Sequence, residues 1–512
     1  MTGQPSDIES FLAALVAIER AWILLDAADP SPADIAEAVR LGGASAQVLT
    51  RAAALRTATD PSRAHALLEQ AVALEAPPAP AQLALSRSFR ARGDKAEASR
   101  WLRGAMLRAR PDAALLLELA TIETDHAREI VEAAQVFPCR DVATAMAAGR
   151  TLLACGKKTE ARIACTMAFE AGARDGDFLI FYSDLLADVS LHDDPPLPPG
   201  PLGMPHWWNV ATGAAQVRLA QAHPAPPVIS RAEQREASDR WVGDDRLGAY
   251  LKDRIETGAP FSWIRLGDGE ARFLMHLHPD LRAALAPREA DAMARQIWFA
   301  WFGQEIDAVP PESLDALGAR LDRAIRNADL LGVTSAERLR TDATHYGFCA
   351  GLETYLGSLL ADRTTAMFAD ALAPVALNRR DPFLGSLLRG RDFLGVISPH
   401  PDLAGRLRQY LDIGTVASYD LPGETRLARP SEARNRGAHF PAVYEQVLAT
   451  LSVPHPGAVF LVAGGLLGKI YCDRIRELGG IALDIGALAD AWVGQNARGR
   501  LLDDAPMLPP AG

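Results

Sequence analysis

Hydrophobic and polar positions follow different patterns in the two parts of this chain. Residues 6–190 are rich in alanine and leucine, and their spacing predicts helices with no convincing strand. After residue 230, short apolar runs alternate with helix-like segments, as expected for strands buried on both faces. Six runs predict strands: residues 261–266, 330–334, 393–398, 416–419, 459–462 and 481–485. We therefore predict an all-α N-terminal domain followed by an α/β domain.

The last two runs belong to the clearest local unit of the second domain. Residues 458–486 contain, in order, a strand, a glycine turn, one helix, a glycine stop and a second strand. This order predicts a βαβ crossover, and therefore a sheet that is at least partly parallel. Ligands of such sheets bind beyond the carboxyl ends of the strands, so polar residues at those ends are candidates for a functional site.

An internal repeat organises the N-terminal domain. Four positions recur 34 residues later: Asp60 as Asp94, Leu67 as Trp101, Ala71 as Ala105 and Pro77 as Pro111. A weaker third copy contains Gly156, Glu160, Ala161 and Ala168. The period and its alanines resemble tetratricopeptide repeats over residues 45–175. The resemblance implies an α-solenoid with a groove that docks a protein partner; a helical cap or an oligomerisation spacer is the alternative.

A proline-rich segment separates the two domains. Nine prolines lie within residues 195–227, a density that does not continue helices and favours extended backbone. We predict a helical-repeat domain over residues 1–190, a linker over 191–230, the α/β domain over 231–500 and a tail over 501–512. Trp207 and Trp208 interrupt the prolines, and because exposed tryptophan is costly we expect this stretch to pack along one domain.

Composition and charge narrow the class of protein. The 512 residues carry 53 basic and 64 acidic side chains, a formal charge of −11 that argues against a nucleic-acid partner. The N-terminus lacks the basic start of a signal peptide, and no apolar run is long enough to span a membrane. The five cysteines are scattered, so we expect neither a disulfide framework nor a zinc site. We predict a cytoplasmic protein without a membrane span.

The first polar cluster follows the run at 261–266. Arg265, Gly267, Asp268 and Glu270 stand close together at its end. If strand geometry continues, Asp268 and Glu270 face the same way, and two convergent carboxylates favour a hard divalent cation such as Mg²⁺ or Mn²⁺. Arg265 can pair with a carboxylate or a phosphate. A solvated turn is the alternative interpretation of this cluster.

The second polar cluster lies in the βαβ unit. Gly464 and Gly465 stand between a predicted strand and a predicted helix, which is a suitable cradle for an anion. The spacing does not match the phosphate-binding loop of nucleoside triphosphatases. Lys469 either reaches a diphosphate from this turn or lies along the helix surface. Asp484 ends the next strand and places another carboxylate at the same edge of the sheet.

The order of these segments resembles the GT-D fold glycosyltransferases over residues 255–495. The matching segments are RLGDGE at 265–270, the pair Asn378 and Arg379, the strand at 393–398, VAGGLLGK at 462–469 and LDIG at 483–486. The resemblance implies a Rossmann-like domain in which Asp268 and Glu270 bind Mn²⁺ or Mg²⁺. The chain departs from the family at Ser398-Pro399-His400, where Glu-Gly is common, and at Ala487, where histidine is frequent.

The resemblance also implies a reaction, the transfer of a sugar from a nucleoside diphosphate donor, with a UDP-sugar expected. Catalytic roles fall to Asp268, Glu270 and Arg265, and donor-binding roles to Gly267, Gly464, Gly465, Lys469, Asp484, Asn378 and Arg379. An inverting reaction needs a base near the acceptor, for which Asp342, His345, Glu424 and His439 are candidates.

Three functional hypotheses follow. The helical repeats recruit a protein acceptor, or they serve assembly while a glycan or lipid-linked sugar is the acceptor. Alternatively, the chain is a nucleotide-binding scaffold without catalysis.

Overall fold

The computed structural model describes residues 7–74, 79–110, 112–189, 206–361, 365–423, 439–495 and 506–509. The chain forms two compact units, Met1–Phe178 and Leu179–Gly512, and the division falls within one helix. No helix within the described ranges combines enough length and apolar character to cross a bilayer.

The N-terminal unit consists of helices, as predicted. These are α1 Asp7–Leu25, α2 Pro32–Gly42, α3 Ala46–Arg56, α4 Pro61–Ala73, α5 Ala79–Ala91, α6 Lys95–Met106, α7 Ala113–Ile122, α8 Ala127–Ala134, α9 Val142–Ala154 and α10 Lys158–Glu170, with a 3₁₀ turn at Thr124–His126. Helix α11, Gly176–Leu185, contains the division between the units. Helices α3 and α4, α5 and α6, and α9 and α10 pack as hairpins. The unit therefore has a tetratricopeptide-like helical-repeat fold.

The sequence repeat aligns equivalent helices of these hairpins. When the sequence is shifted by 34 residues, the first residue of α4 aligns with the first residue of α6. The third copy of the repeat corresponds to α10. Asp60 and Asp94 each accept a hydrogen bond from the backbone N–H of the third residue of their helix, which satisfies an otherwise unpaired donor. Ala71 and Ala105 are buried, so small side chains let the helices approach closely. Pro77 and Pro111 lie outside the described residues.

Within its described residues, the C-terminal unit contains seven strands and further helices. The strands are β1 Phe261–Arg265, β2 Leu330–Val333, β3 Met367–Asp370, β4 Phe393–Ser398, β5 Thr415–Asp420, β6 Val459–Val462 and β7 Ile481–Asp484. The helices are α12 His206–Ala222, α13 Ala225–Glu236, α14 Asp244–Thr257, α15 Asp268–Leu277, α16 Pro279–Arg282, α17 Pro287–Phe302, α18 Pro311–Asn327, α19 Ala336–Thr341, α20 Tyr346–Leu359, α21 Ala373–Arg380, α22 Gly385–Leu388, α23 Pro401–Leu411, α24 Tyr444–Thr450, α25 Gly465–Glu477 and α26 Leu488–Trp492. Short turns of 3₁₀ or π type lie at Ile306–Ala308, Pro382–Leu384 and His439–Val443.

The strands form one parallel sheet in the order β3-β2-β1-β7-β6-β4-β5. All six predicted strands are confirmed, and β3 was missed because its four residues are only partly apolar and partly buried. Successive side chains of β1 enter different cores, Trp263 on one face and Ile264 on the other. Because both faces are covered, a ligand reaches the sheet at its strand ends.

The predicted linker is corrected by the structure. Residues 206–222 and 225–236 form helices α12 and α13, and Trp207 and Trp208 are buried, as their cost of exposure predicted. Proline is compatible with the first turn of a helix, where its missing N–H has no helical partner, and Pro226 and Pro227 lie in the first turn of α13. Residues 190–205 lie outside the described residues. In the predicted tail, the N–H of Leu508 donates to Trp492 O (2.9 Å), so residues 506–509 pack on the domain.

Candidate functional site

A cavity of about 660 Å³ lies beyond the carboxyl end of the sheet. Residues at or just beyond the carboxyl end of each described strand line it, from Arg265 at the end of β1 to Asp484 at the end of β7. The chain leaves β1 toward β2 and leaves β4 toward β5, so these two connections run toward opposite edges of the sheet and diverge above its middle. Divergent connections of this kind open the crevice in which α/β sheets bind ligands.

A buried ionic cluster of Arg265, Glu270, Lys469 and Asp484 occupies one part of the cavity. Lys469 Nζ donates to Asp484 Oδ2 (2.8 Å) and lies 3.0 Å from Glu270 Oε1. Arg265 donates to Asp484 from its backbone N–H at 3.2 Å and from Nη2 at 3.4 Å. Lys469 and Asp484 are almost fully buried. Four predicted site residues therefore lie together, and Lys469 points into the cluster rather than along the helix surface.

The pKa shifts of Lys469 and Asp484 favour the charged form of both side chains. Burial alone would lower the pKa of Lys469, but the carboxylates of Asp484 and Glu270 raise it above its ordinary value. Burial would raise the pKa of Asp484, but Lys469 and Arg265 lower it below its ordinary value. The pair is therefore ionised, and each partner depends on the other for its charge.

The Arg265 side chain lies in a space that two glycines leave open. A Cβ on Gly486 would be 1.7 Å from Arg265 Nη2, and a Cβ on Gly332 would be 2.9 Å from Arg265 Cγ. Gly486 also has a φ of +48°, in the left-handed region that favours glycine. The glycine of the Asp-Ile-Gly segment therefore determines where the Arg265 guanidinium lies.

Substitution Gly486→Ala is expected to displace Arg265 and to destabilise the C-terminal unit. The left-handed φ costs about 1–2 kcal/mol and overpacking adds about 1–3 kcal/mol. The matched control is Gly479→Ala. Gly479 has a φ of +91°, but no atom lies within 4 Å of the added Cβ, so this variant measures the free-energy cost of the backbone conformation alone. Thermal unfolding of both variants measures the difference, and equal losses of stability would contradict the displacement of Arg265.

A second group, the arginine cluster, consists of Asp268, Arg272, Arg338, Asp342 and His345. Arg272 Nη2 donates to Asp268 Oδ2 (2.9 Å), and Arg338 Nη2 donates to Asp268 Oδ1 (3.3 Å). Arg338 Nε donates to Asp342 Oδ2 (3.3 Å), and His345 Nδ1 lies 3.0 Å from Asp342 Oδ1. All five residues line the cavity. Sequence reasoning missed both arginines, although the run Arg338, Asp342, His345 after a predicted strand has helical spacing.

The expectation that Asp268 and Glu270 face the same way is wrong. Helix α15 begins at Asp268, and two residues of helix turn the side chain by about 200° rather than returning it to the same face. Asp268 meets the two arginines, whereas Glu270 accepts from the Gly267 N–H (3.0 Å) and meets Lys469. Within the described ranges, no three His, Cys, Asp or Glu side chains are placed to hold a metal ion. The pair does not fit the predicted metal site.

The glycine turn has the predicted position. Gly464 and Gly465 line the cavity and precede the 13-residue helix α25, whose first N–H groups have no helical partners. Gly465 has a φ of +53°, which a residue with a side chain rarely adopts. The turn therefore presents backbone donors and the positive end of a helix dipole to the cavity.

Asn378 and Arg379, expected to bind the donor, do not line the cavity. The buried Asn378 Oδ1 accepts from Phe383 N (2.9 Å) and Trp492 Nε1 (3.0 Å), so it holds a turn against α26. Arg379 is exposed on α21. The predicted donor-binding role of this pair is therefore corrected to a packing role for Asn378, because its amide is already used inside the domain.

The remaining candidates differ in position. Asp342, His345 and His439 line the cavity, and Glu424 lies outside the described residues. The departure at Ser398-Pro399-His400 brings His400 Nε2 to 2.7 Å from Asp490 Oδ1, and Asp490 faces the cavity. This contact joins residues 90 positions apart, so no local pattern could have predicted it.

The chain was compared with known proteins by sequence and by structure. No protein-family model matches the chain, and no curated protein matches its sequence. Among solved structures, the chain is similar to YrrB, described as a TPR protein with an unusual peptide-binding site. The match has 18% sequence identity and a TM-score of 0.23, and covers 30% of this chain and 82% of YrrB. The helical-repeat fold described above rests on the packing of the helices themselves.

Proposed function

We propose that the C-terminal unit binds a nucleoside diphosphate sugar, with UDP as the expected nucleotide, and transfers the sugar to a hydroxyl group of an acceptor. The observation that carries the proposal is the cavity of about 660 Å³ beyond the strand ends, where arginines and a helix N-terminus lie together. Parallel sheets bind nucleotides at this edge, and the volume lies within the range of small-molecule sites.

The leaving group determines what the cavity must supply. As the bond between the sugar and the diphosphate breaks, negative charge grows on a diphosphate oxygen. The backbone N–H groups at the start of α25 and the guanidinium of Arg338 are donors suited to that charge. Arg338 donates hydrogen bonds from Nε to Asp342 and from Nη2 to Asp268. Because a guanidinium has five N–H donors, further N–H groups of Arg338 can bind phosphate.

The way in which the lining charges are paired favours protein donors for this role over the predicted Mn²⁺ or Mg²⁺. The lining has four basic and five acidic side chains, and the acidic ones include Asp268 and Glu270. Because these two carboxylates meet different cations, they do not form a common ligand set. The proposal therefore assigns stabilisation of the diphosphate to basic side chains and backbone amides of this chain.

The N-terminal unit has a separate role in the proposal, the recruitment of an acceptor protein or partner. A groove of about 550 Å³ in this unit is lined by Arg87, Arg90, Glu118, Thr144 and four alanines. Helical repeats commonly bind extended partners along such grooves. If the repeats serve assembly instead, the acceptor is a glycan or a lipid-linked sugar.

Thermal stabilisation by nucleotides tests the proposal. UDP, UDP-glucose and UDP-N-acetylglucosamine are each added to the full chain, in EDTA and with Mn²⁺, with NAD⁺ as the comparison ligand. A ligand at 100 times its Kd adds about 2.7 kcal/mol to the stability of the folded state. We expect the uridine nucleotides to raise the Tm and NAD⁺ to have no effect.

Two results would contradict the proposal or its catalytic part. Absence of stabilisation by every uridine nucleotide in both buffers would remove the nucleotide site. Stabilisation without release of UDP from either UDP-sugar would favour the non-catalytic scaffold.

A further inference from the structure

The segment between α19 and α20 holds a carboxylate–imidazole pair at the cavity. Asp342 Oδ1 lies 3.0 Å from His345 Nδ1 and accepts the His345 backbone N–H (3.2 Å). Arg338 Nε holds the other carboxylate oxygen of Asp342. His345 is about one-third exposed, and its Nε2 lies 4.0 Å from Asp268 Oδ2. The imidazole is therefore fixed at one nitrogen and faces the cavity with the other.

Asp342 also determines which nitrogen of His345 carries hydrogen. Burial alone would raise the pKa of Asp342, but His345 and Arg338 lower it, so the carboxylate is ionised. An ionised carboxylate only accepts hydrogen bonds, so Nδ1 of His345 donates to Asp342, and in the neutral imidazole the lone pair is then on Nε2, the nitrogen that faces the cavity. A lone pair held in this way is the arrangement that a general base needs.

The other histidine of the cavity lining is placed differently. His439 Nε2 lies 3.0 Å from the Tyr471 hydroxyl, and the side chain is almost completely buried. Burial lowers the pKa of His439 to about 3. His439 is therefore a neutral packing residue, and the structure separates the two histidines that the sequence left equivalent.

We propose that His345 is the base that deprotonates the acceptor hydroxyl, with Asp342 as its positioning residue. This inference rests on the proposed sugar transfer. The acceptor O–H bond breaks as its proton passes to Nε2. The acceptor oxygen then bonds to the anomeric carbon, while the bond from that carbon to the diphosphate oxygen breaks and its electron pair leaves with the diphosphate.

The product state follows from this displacement. His345 becomes an imidazolium ion, and Asp342 stabilises its charge through the hydrogen bond to Nδ1. Because attack and departure occur on opposite faces of the sugar, the configuration at the anomeric carbon is inverted. When water is the acceptor, the same step is hydrolysis of the sugar nucleotide.

Hydrolysis of UDP-glucose or UDP-N-acetylglucosamine by the full chain measures the role of His345 without a known acceptor. His345→Ala is expected to lower UDP release by on the order of 100- to 10,000-fold and to leave UDP affinity, measured by calorimetry, unchanged. Added imidazole is expected to restore part of the rate in His345→Ala. It should not do so in His345→Gln, whose amide fills the same space but takes up no proton. His126→Ala, at an exposed position of the N-terminal unit, is the matched control.

The outcomes separate this inference from the proposed function. If the wild-type chain neither binds UDP nor releases it from UDP-sugars, the proposed function fails, and the role of His345 fails with it. If the wild-type chain turns over a UDP-sugar and His345→Ala does so at the same rate, the inference alone is overturned. Loss of UDP binding in His345→Ala without rescue by imidazole would show a structural role and would also overturn it.

Discussion

Replacing Lys469 with methionine is expected to lower the free energy of unfolding of the C-terminal unit by about 3–5 kcal/mol. Lys469 Nζ is the shared cation of Asp484 and Glu270, at 2.8 and 3.0 Å. Methionine has a similar length but no charge, so it leaves two carboxylates in the cavity wall without this partner. Urea unfolding followed by tryptophan fluorescence reports the change, because Trp263 and Trp298 are buried in this unit.

The matched control for this substitution is Lys252→Met. The Lys252 side chain is 59% exposed and lies 3.7 Å from Glu256, so its loss should change stability by no more than about 0.5 kcal/mol. Equal stability losses in the two variants, or none in Lys469→Met, would show that the buried cluster does not stabilise the unit.

The contribution of Lys469 to stability also has a defined pH range. Burial alone would lower the pKa of Lys469, but the carboxylates raise it. The stabilisation from Lys469 is therefore complete below pH 10.5 and is lost as the pH rises through the higher pKa of the folded state. Burial alone would raise the pKa of Asp484, but Lys469 lowers it. The stabilisation from Asp484 is therefore present above pH 3.8 and is lost as the pH falls through the lower pKa of the folded state. The Tm difference between wild type and Lys469→Met should therefore be constant near neutral pH and shrink at both extremes.

Asp268→Ala is expected to reduce sugar transfer, measured as UDP release, by on the order of 100-fold through loss of positioning. Asp268 accepts from both Arg272 and Arg338, and without it two guanidinium groups lose the carboxylate that holds them together. UDP affinity in EDTA should be retained, since the substitution removes a negative charge from a cavity that binds an anion.

Asp315→Ala, at an exposed position of α18, is the control for removal of an aspartate and should leave turnover unchanged. Unchanged turnover in Asp268→Ala would contradict the role of the arginine cluster. A loss of UDP affinity seen only with Mn²⁺ would instead identify Asp268 as a metal ligand, against the geometry of the side chains.

Much of the fold could be predicted because its signals are local. Strands buried on both faces of a parallel sheet are continuous apolar runs, so β1, β4 and β6 stand out in the sequence. Strand β3 is short and partly exposed, and its four residues carry too little pattern. The prolines in the first turn of α13 misled the linker prediction, since proline stops a helix in its interior but is compatible with its first turn.

The candidate site was predicted in part for the same reason. Residues at the carboxyl ends of parallel strands share one edge of the sheet, so the sequence predicts that Arg265, Lys469 and Asp484 lie near one another. It did not place Arg338 or His345 beside Asp268, because those contacts join residues separated by some 70 positions. Side chains brought together by folding leave no spacing rule in the sequence.

Apolar patterning and the internal repeat are enough to predict two domains, a helical repeat and a parallel α/β sheet, and the strand ends where chemistry is concentrated. Which charges meet depends on how the chain folds. Because α15 begins at Asp268, two carboxylates that strand geometry would align are turned apart, Asp268 toward the arginines and Glu270 toward Lys469. A predicted metal pair thereby becomes two separate ionic clusters, and the direction of a side chain depends on where its helix starts.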